Sequence, residues 1–231
     1  MGKRIITQAR GKGSLRYQAK KRAYIYTIKY PSENGEGIIL KLLHSPAHSA
    51  PLMKVKIKNN VFYNPAFVGA IEGEKIQVNG DIKEGNVAKI KELPISTKIY
   101  NIELNPGDGG KMIRTAGSSA MVNKKYDYNK IGILLPSKKE VILDGECRAT
   151  IGVIAGDGRK LKPFITAGRK FYKMQAKGKL WPRTSAVKMN AVDHPFGSGR
   201  GKRIKQKIAQ RNMPAGRRVG HLRPRRTGRV K

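Results

Sequence analysis

The sequence predicts an all-β protein in which two small barrels lie between basic terminal tails. Three observations lead there. Apolar and polar residues alternate over short runs, the two-residue period of a strand, whereas the 3.6-residue period of an amphipathic helix is scarce. Gly, Asn and Pro punctuate those runs at turn spacing. Finally, residues 194–231 contain no Asp or Glu but thirteen Lys and Arg. A segment of that composition repels itself, cannot bury a core, and orders against a dense polyanion.

Taken in chain order, Tyr24, Tyr26, Ile28 and Tyr30 alternate with Ile25, Thr27 and Lys29 before Pro31, which predicts a first strand. Residues 37–44 are a second apolar run. Met53, Val55 and Ile57 alternate with Lys54, Lys56 and Lys58, and Asn59-Asn60 turns the chain into Val61, Phe62 and Tyr63. Further strands fit 75–78 and 87–90. Short strands at this density suit a small barrel of the oligonucleotide-binding type.

A second unit begins at Leu93-Pro94. Residues 99–104 read as a strand and Gly107-Asp108-Gly109-Gly110 as a loop, either a tight turn or a backbone that approaches phosphates closely. Residues 131–135 pair with 141–143 across Pro136-Ser137-Lys138-Lys139, and 147–154 adds another strand, which suits a second small barrel. Beyond Arg159, Gly and Pro interrupt every element, and the helical period surfaces only at Ile204 and Ile208 within 203–211. The expected domains are a basic extension over 1–34 leading into the first strand, barrels over 35–92 and 93–190, the second with a basic C-terminal part, and an extended basic tail over 191–231.

Charge narrows the function. The chain carries 49 Lys and Arg against 15 Asp and Glu, a net charge of +34. Residues 35–92, with eight basic and six acidic side chains, are nearly balanced and are flanked by strongly basic material. That distribution is the footprint of a nucleic-acid binder. A membrane-surface protein would set its charges opposite a broad apolar helix face, which is not found, and no apolar run approaches a membrane span or an export signal. A cytoplasmic protein is expected.

Chemistry-bearing motifs are few. Cys147 is the only cysteine, which excludes an intramolecular disulfide and a cysteine-based zinc site. None of the Gly-Lys pairs has the preceding Gly of a phosphate-binding Walker loop, and no GxGxxG occurs. His44 and His48 have ligand spacing for a helix, but Pro46 lies between them, so no metal site is expected. Asp193-His194 sets a carboxylate beside an imidazole, the pairing that general-base catalysis uses. Adjacent side chains in a Gly-rich loop usually point apart, however, and Pro195 stiffens this one. Trp181, between Lys179 and Arg183, reads as either an RNA-stacking or a buried side chain.

Longer strings carry a resemblance. Ile99-Tyr100-Asn101-Ile102-Glu103-Leu104, Pro106-Gly107-Asp108-Gly109-Gly110-Lys111 with Ala116-Gly117, Cys147-Arg148-Ala149-Thr150-Ile151-Gly152 and Met189-Asn190-Ala191-Val192-Asp193-His194-Pro195-Phe196-Gly197 occur in order. So do Gly216-Arg217-Arg218-Val219-Gly220-His221 and Arg225-Arg226-Thr227-Gly228-Arg229. Together they resemble the universal second protein of the large ribosomal subunit, nearly end to end. The short N-terminus and Phe196, where bacterial members carry His, resemble the archaeal and eukaryotic branch, the archaeal most. Tyr100 in place of a common His, Ser198 within a glycine cluster, and Gly201-Lys202-Arg203 without the histidines often found there depart from the pattern.

The resemblance implies an oligonucleotide-binding barrel followed by an SH3-like barrel, with basic N- and C-terminal tails that penetrate ribosomal RNA. It implies a structural constituent of the large subunit that binds its rRNA and supports subunit association, tRNA binding and the peptidyl-transferase region. Partners would be large-subunit rRNA, neighbouring ribosomal proteins and the small subunit across the interface. It implies no cofactor beyond magnesium ions bridging to rRNA. His194 matches the family histidine once suggested to act in peptide-bond formation, and holding RNA in place is its simpler task. The candidate RNA contacts are Lys111, Arg114, Arg159, Lys160, Lys162, Arg169, Lys170, Lys173, Lys177, Lys179, Trp181, Arg183, His194, Arg200, Lys202, Arg203, Arg217, Arg218, His221, Arg223, Arg225, Arg226 and Arg229.

Overall fold

In the computed structural model, which describes residues 2–198 and 212–220, the chain divides into two compact units. One is continuous, Lys21–Ile165. The other joins Met1–Lys20 to Thr166–Lys231, ends of the chain that the sequence leaves far apart.

The continuous unit is mostly β, as expected. Its strands are β1 (Gly35–Leu43), β2 (Leu52–Ile57), β3 (Asn60–Pro65), β4 (Lys75–Val78), β5 (Val87–Lys89), β6 (Lys98–Tyr100), β7 (Ala120–Tyr126), β8 (Lys130–Leu134), β9 (Glu140–Asp144) and β10 (Arg148–Ile151). They form one ten-stranded mixed sheet in the order β3-β2-β1-β4-β5-β10-β6-β7-β8-β9. All its pairings are antiparallel except a single parallel contact between β4 and β5, Val78 with Val87. The alternation read in β2 holds: Met53, Val55 and Ile57 are buried while Lys56 is exposed. Ile57 pairs with Asn60, so the hairpin turns on Lys58-Asn59, one residue earlier than expected.

Two apolar cores share this sheet. The first gathers Ile39, Met53, Val55, Ile57, Phe62, Ile76, Val78 and Val87 with Tyr30 and Tyr100. The second gathers Ala88, Ile90, Leu93, Ile99, Val122, Ile131, Ile133, Leu143, Ala149 and Ile151. The strands between them serve both cores, because neighbouring side chains of a strand point to opposite faces. Val87 of β5 belongs to the first core and Ala88 to the second; on β6, Tyr100 belongs to the first and Ile99 to the second. β10 follows the same rule, with Ala149 and Ile151 in the second core and buried Thr150 bonded to Tyr30 on the other side.

The expected strand through Tyr24, Tyr26, Ile28 and Tyr30 is not formed. Lys21–Tyr24 is a 3-10 turn, and only Ile28 makes a bridge, to Tyr63. Ile28 and Tyr30 do point inward, which produced the alternation, but the backbone of Tyr30 donates to Gly109 O instead of to a strand. The strand expected over 99–104 stops at Tyr100. Asn101 has φ +46, which turns the chain so that Ile102 pairs with Met112. β7 was not anticipated, because its second half, Asn123-Lys124-Lys125-Tyr126, lacks an apolar face.

The discontinuous unit is not uniformly extended. It holds the helices α1 (Ile6–Lys12) and α2 (Ala167–Ala176). The Lys3 N–H donates to Val192 O at 2.8 Å, and the Lys20 amine donates to Gln175 Oε1 at 3.4 Å, so the N-terminal segment meets the stretch between Gln175 and Val192 in it. The helical hint at Ile204 and Ile208 lies outside the described residues.

Where β5 approaches β10, Glu146 receives both Lys89, at 2.9 Å, and Lys91. Hydrogen bonds from Lys91 and Lys89 hold its carboxyl down from an ordinary value of 4.5 to about 2. A carboxylate whose pKa is depressed by folding contributes stability above its unfolded pKa, and that contribution is lost as pH falls through the folded value. The thermal midpoint should therefore fall between about pH 4.5 and pH 2, and Glu146→Gln should flatten that part of the profile, which a pH series of melting curves on the two proteins would measure.

Candidate nucleic-acid interface

Basic side chains in this chain have two different surroundings. In the strand unit, several are committed to the protein itself. Glu103 is fully buried, and its carboxylate accepts the N–H groups of Gly107 (3.2 Å), Gly109 (3.0 Å) and Arg148 (2.8 Å). The Arg148 guanidinium adds bonds from Nε at 3.2 Å and NH2 at 2.9 Å, donates through NH1 to Pro31 O at 2.7 Å, and lies over the Tyr30 ring. A buried carboxylate is tolerated only when paired and hydrogen-bonded in this way.

The adjoining loop is held by the same logic. Asp108 accepts the N–H groups of Leu104, Asn105 and Gly110. Partial burial raises its pKa, but the backbone donors of Asn105, Gly110 and Leu104, with Lys111, outweigh it and leave the carboxyl lowered. Gly110, at φ +83, has no room for a side chain, since a Cβ would stand 2.5 Å from Asn101 O. Gly107-Asp108-Gly109-Gly110 is therefore a tight turn whose N–H groups point into the protein.

Arg114 belongs to this interior set. Its Nε donates to Asn101 Oδ1 at 2.8 Å, and its NH2 to Ile28 O at 3.1 Å and to Gly110 O. Burial lowers its pKa. Asn101 in turn donates to Asn64 Oδ1, Asn64 to Thr150 Oγ1, and the Tyr30 hydroxyl donates to Asn101 O and bonds Thr150 Oγ1 at 2.6 Å. Burial raises the Tyr30 pKa, so the hydroxyl stays protonated. Tyr100, the departure noted above, is fully buried and donates to Pro65 O at 3.0 Å.

Of the other candidates in this unit, Arg159 and Lys162 are exposed, Lys111 is exposed and 3.7 Å from Asp108, and Lys160 lies in a 3-10 turn, Asp157–Lys160. His48 Nδ1 is bonded to Ser45 Oγ at 2.7 Å in a loop, and no group of three metal-ligating side chains occurs among the described residues.

The discontinuous unit carries the remaining described candidates. α2 places Arg169, Lys170 and Lys173 within two turns, followed by Lys177 and Lys179. Lys170 Nζ stands 5.1 Å from the Trp181 ring centroid, a cation–π contact, and Trp181 is half-buried. Arg169, Lys179, Arg183, Arg217 and Arg218 are exposed. Arg200, Lys202, Arg203, His221, Arg223, Arg225, Arg226 and Arg229 lie outside the described residues.

His194 sits in a closed turn. Asn190 O accepts the N–H groups of Asp193 and His194, Ser198 Oγ accepts that of Ala191, and Gly197 N–H donates to His194 O. A Cβ on Gly197 would lie 2.3 Å from Asn190 O, so the turn requires glycine. The imidazole Nδ1 accepts the Phe196 N–H at 3.0 Å. In the neutral ring this puts the proton on Nε2, which becomes a donor, whereas a general base needs an unprotonated nitrogen turned outward. His194 lines a cleft of about 810 Å³ with Lys3, Arg4, Phe196 and Arg217.

Residues 83–216 match the family model described as Ribosomal Proteins L2, C-terminal domain. A large ribosomal subunit protein uL2 from Korarchaeum cryptofilum is 40% identical over 100% of this chain and 97% of its own length. The chain belongs to the uL2 family of large ribosomal subunit proteins. The uL2 proteins of Methanococcus maripaludis (strain S2) and Methanococcus aeolicus are each 42% identical, over 99% of both chains. Family membership makes the chain a structural constituent of the large subunit and not an enzyme. No helix among the described residues is long and apolar enough to cross a membrane.

Sequence reasoning missed Glu103 and Arg148 as a pair. The available signal was a carboxylate inside the apolar run 99–104 and an arginine entering a strand, each too costly to bury alone. Removing one partner of such a pair should cost about 3–5 kcal/mol, and replacing both by apolar residues should cost less than the sum. In urea titrations, Glu103→Gln and Arg148→Met are each expected to lower the midpoint sharply, with the double variant Glu103→Leu/Arg148→Met recovering part of the loss.

Proposed function

We propose that the chain binds large-subunit rRNA chiefly through its discontinuous unit, with the strand unit as the folded platform. One observation carries this reading. Residues 1–20 and 166–231 hold 26 Lys and Arg against a single acidic residue, Asp193, whereas residues 21–165 hold 23 against 14. The strand unit neutralises much of its own charge, as Arg148, Lys89 and Lys91 illustrate. Composition leaves the other unit no comparable means, and rRNA phosphates supply the missing countercharge.

Within the strand unit, the two cores correspond to an oligonucleotide-binding barrel over 35–92 and an SH3-like barrel within 93–190, and the shared strands β5, β6 and β10 join them. The basic ends over 1–34 and 191–231 reach into rRNA. Arg169, Lys170, Lys173, Lys177, Lys179, Arg183, Arg217 and Arg218 contact phosphates, with Arg159 and Lys162 adding to them from the strand unit, and Trp181 and His194 contact bases or sugars. In that role the chain supports subunit association, tRNA binding and the peptidyl-transferase region, and His194 acts as an RNA contact.

Affinity for large-subunit rRNA should fall steeply with salt, because each neutralised phosphate releases counterion and contributes about 0.7–0.9 to the slope of log K against log salt. Neutralising Arg169 and Lys179 together should lower that slope by roughly 1.4–1.8. Filter binding across a salt series measures both quantities. A slope near zero for the unaltered chain would remove phosphate contact as the basis of the function.

A further inference from the structure

One end of the strand unit is acidic and apolar at once. Residues 67–84 carry four acidic side chains, Glu72, Glu74, Asp81 and Glu84, against two basic ones, Lys75 and Lys83, in a chain whose net charge is +34. Both lysines are already paired: Lys75 lies 2.7 Å from Glu36, and Lys83 lies 3.4 Å from Glu74. Glu72, Asp81 and Glu84 are exposed, and among the described residues no Lys or Arg forms an ion pair with them.

The same segment leaves large apolar side chains in water. Val68 is 56% exposed, Ile71 68% and Ile82 55%, and Leu40 and Leu42 of β1 are exposed as well. Hydrogen bonds bring these stretches together. The Leu42 N–H donates to Glu72 Oε1 at 2.8 Å, and the Gly73 N–H donates to Ile39 O at 2.8 Å. β4 pairs with β1 only over 35–38, so a glutamate and not a strand takes the Leu42 N–H. Lys83 ties the stretch 82–84 to Glu74. The Val68 N–H donates to Val153 O at 2.9 Å and the Gly85 N–H to Ile151 O at 2.9 Å, so Val68 and Glu84 adjoin the same short stretch. Exposed apolar side chains gathered in this way mark an interaction site. Carboxylates without cations repel phosphate, so RNA is the wrong partner for this end. A protein lodged against rRNA has to be basic, as this chain is, and a basic segment bearing apolar side chains complements the end in both charge and hydrophobicity.

We propose that this end of the strand unit docks a lysine- and arginine-bearing segment of a neighbouring large-subunit protein. The apolar side chains of that segment lie on Leu40, Leu42, Val68, Ile71 and Ile82, and its cations lie on Glu72, Asp81 and Glu84. The proposal rests on the rRNA-binding reading for the charge of that neighbour. It gives the strand unit a surface for protein, whereas the excess of positive charge elsewhere serves RNA.

The test uses the full chain in intact large subunits. Cys147 is buried, and that burial pushes its thiol up to about 11, so a cysteine introduced on the surface is the thiol of this chain that reacts at neutral pH. Ile71→Cys and Ile82→Cys, both at exposed positions, are assembled into subunits and treated with a thiol-to-amine crosslinker. Mass spectrometry of the digest then identifies the lysine that each has captured. Both positions should capture lysines from one segment of one other ribosomal protein. Adding Asp81→Lys and Glu84→Lys should lower that yield about tenfold or more, because like charges facing each other across an interface repel. The same pair should leave the affinity of the free chain for rRNA within about twofold and its salt slope unchanged. No crosslink, crosslinks only within this chain or to a second copy of it, or crosslinks to unrelated proteins from the two positions would overturn the proposal. So would a salt slope that steepens by roughly 1.4–1.8 in the Asp81→Lys, Glu84→Lys chain, since it would set this end against phosphates. A flat salt dependence of the unaltered chain would overturn the rRNA reading, whereas the crosslinks decide the docking surface separately.

Discussion

Glu103 is a carboxylate with no access to water, and five hydrogen bonds converge on it from Gly107, Gly109 and Arg148. Its charge makes that convergence obligatory, because an ionised group in a low-dielectric interior is stable only when every lone pair has a donor. The consequences spread outward. The turn at 107–110 must close over Glu103, Arg148 must enter β10 beside the apolar Ala149, and Tyr30 must lie beneath the guanidinium. Tyr30 then brings the segment before β1 into the first core and ties it to Thr150 and Asn101. One buried charge thus joins the chain near 30, the loop after β6 and the start of β10, three stretches that the two cores alone would leave loosely related.

This arrangement separates two uses of positive charge. Arg148 and Arg114 donate to groups inside the strand unit, and their loss would be felt as loss of fold. Arg169, Lys179, Arg183, Arg217 and Arg218 are exposed in a unit with one acidic residue, and on the proposed reading their loss would be felt as loss of affinity for rRNA. Net charge alone, +34 for the chain, hides the distinction. It becomes visible only when burial and partners are assigned residue by residue, as it does for Arg114, which composition groups with the RNA contacts and the structure holds between Asn101, Ile28 and Gly110.

Much of the fold was legible in the sequence where one face of a strand is buried and the other wet. β2 declares itself through Met53, Val55 and Ile57, and the pairing of β8 with β9 through the turn at 136–139. Legibility fails where a partner distant in sequence decides the structure. Tyr24 to Tyr30 alternates like a strand, but Gly109 takes the backbone hydrogen bond that a strand neighbour would need. Glu103 and Arg148 are 45 residues apart, and neither is informative alone. α2 escaped notice because Gly168 and the density of Arg and Lys resemble a loop, although Thr166 before it and Gly178 after it are ordinary helix boundaries. The excess of positive charge was legible as composition, since charge needs no partner to be counted. The pairing of Asn79 with Asn34 was not, because the two are 45 residues apart and meet only on folding.

The central claim, that the buried Glu103 carboxylate organises the loop and with it the junction of the two cores, is most directly tested by native-state hydrogen exchange at single amides. In the unaltered chain the N–H groups of Gly107 and Gly109 should be protected as strongly as those of the β2–β3 ladder, although they lie in a glycine-rich turn. In Glu103→Gln their protection should fall toward that of a mobile loop while the ladder keeps its own. Gly107 and Gly109 amides that exchange at loop rates in the unaltered chain, or that keep full protection in Glu103→Gln, would contradict the account.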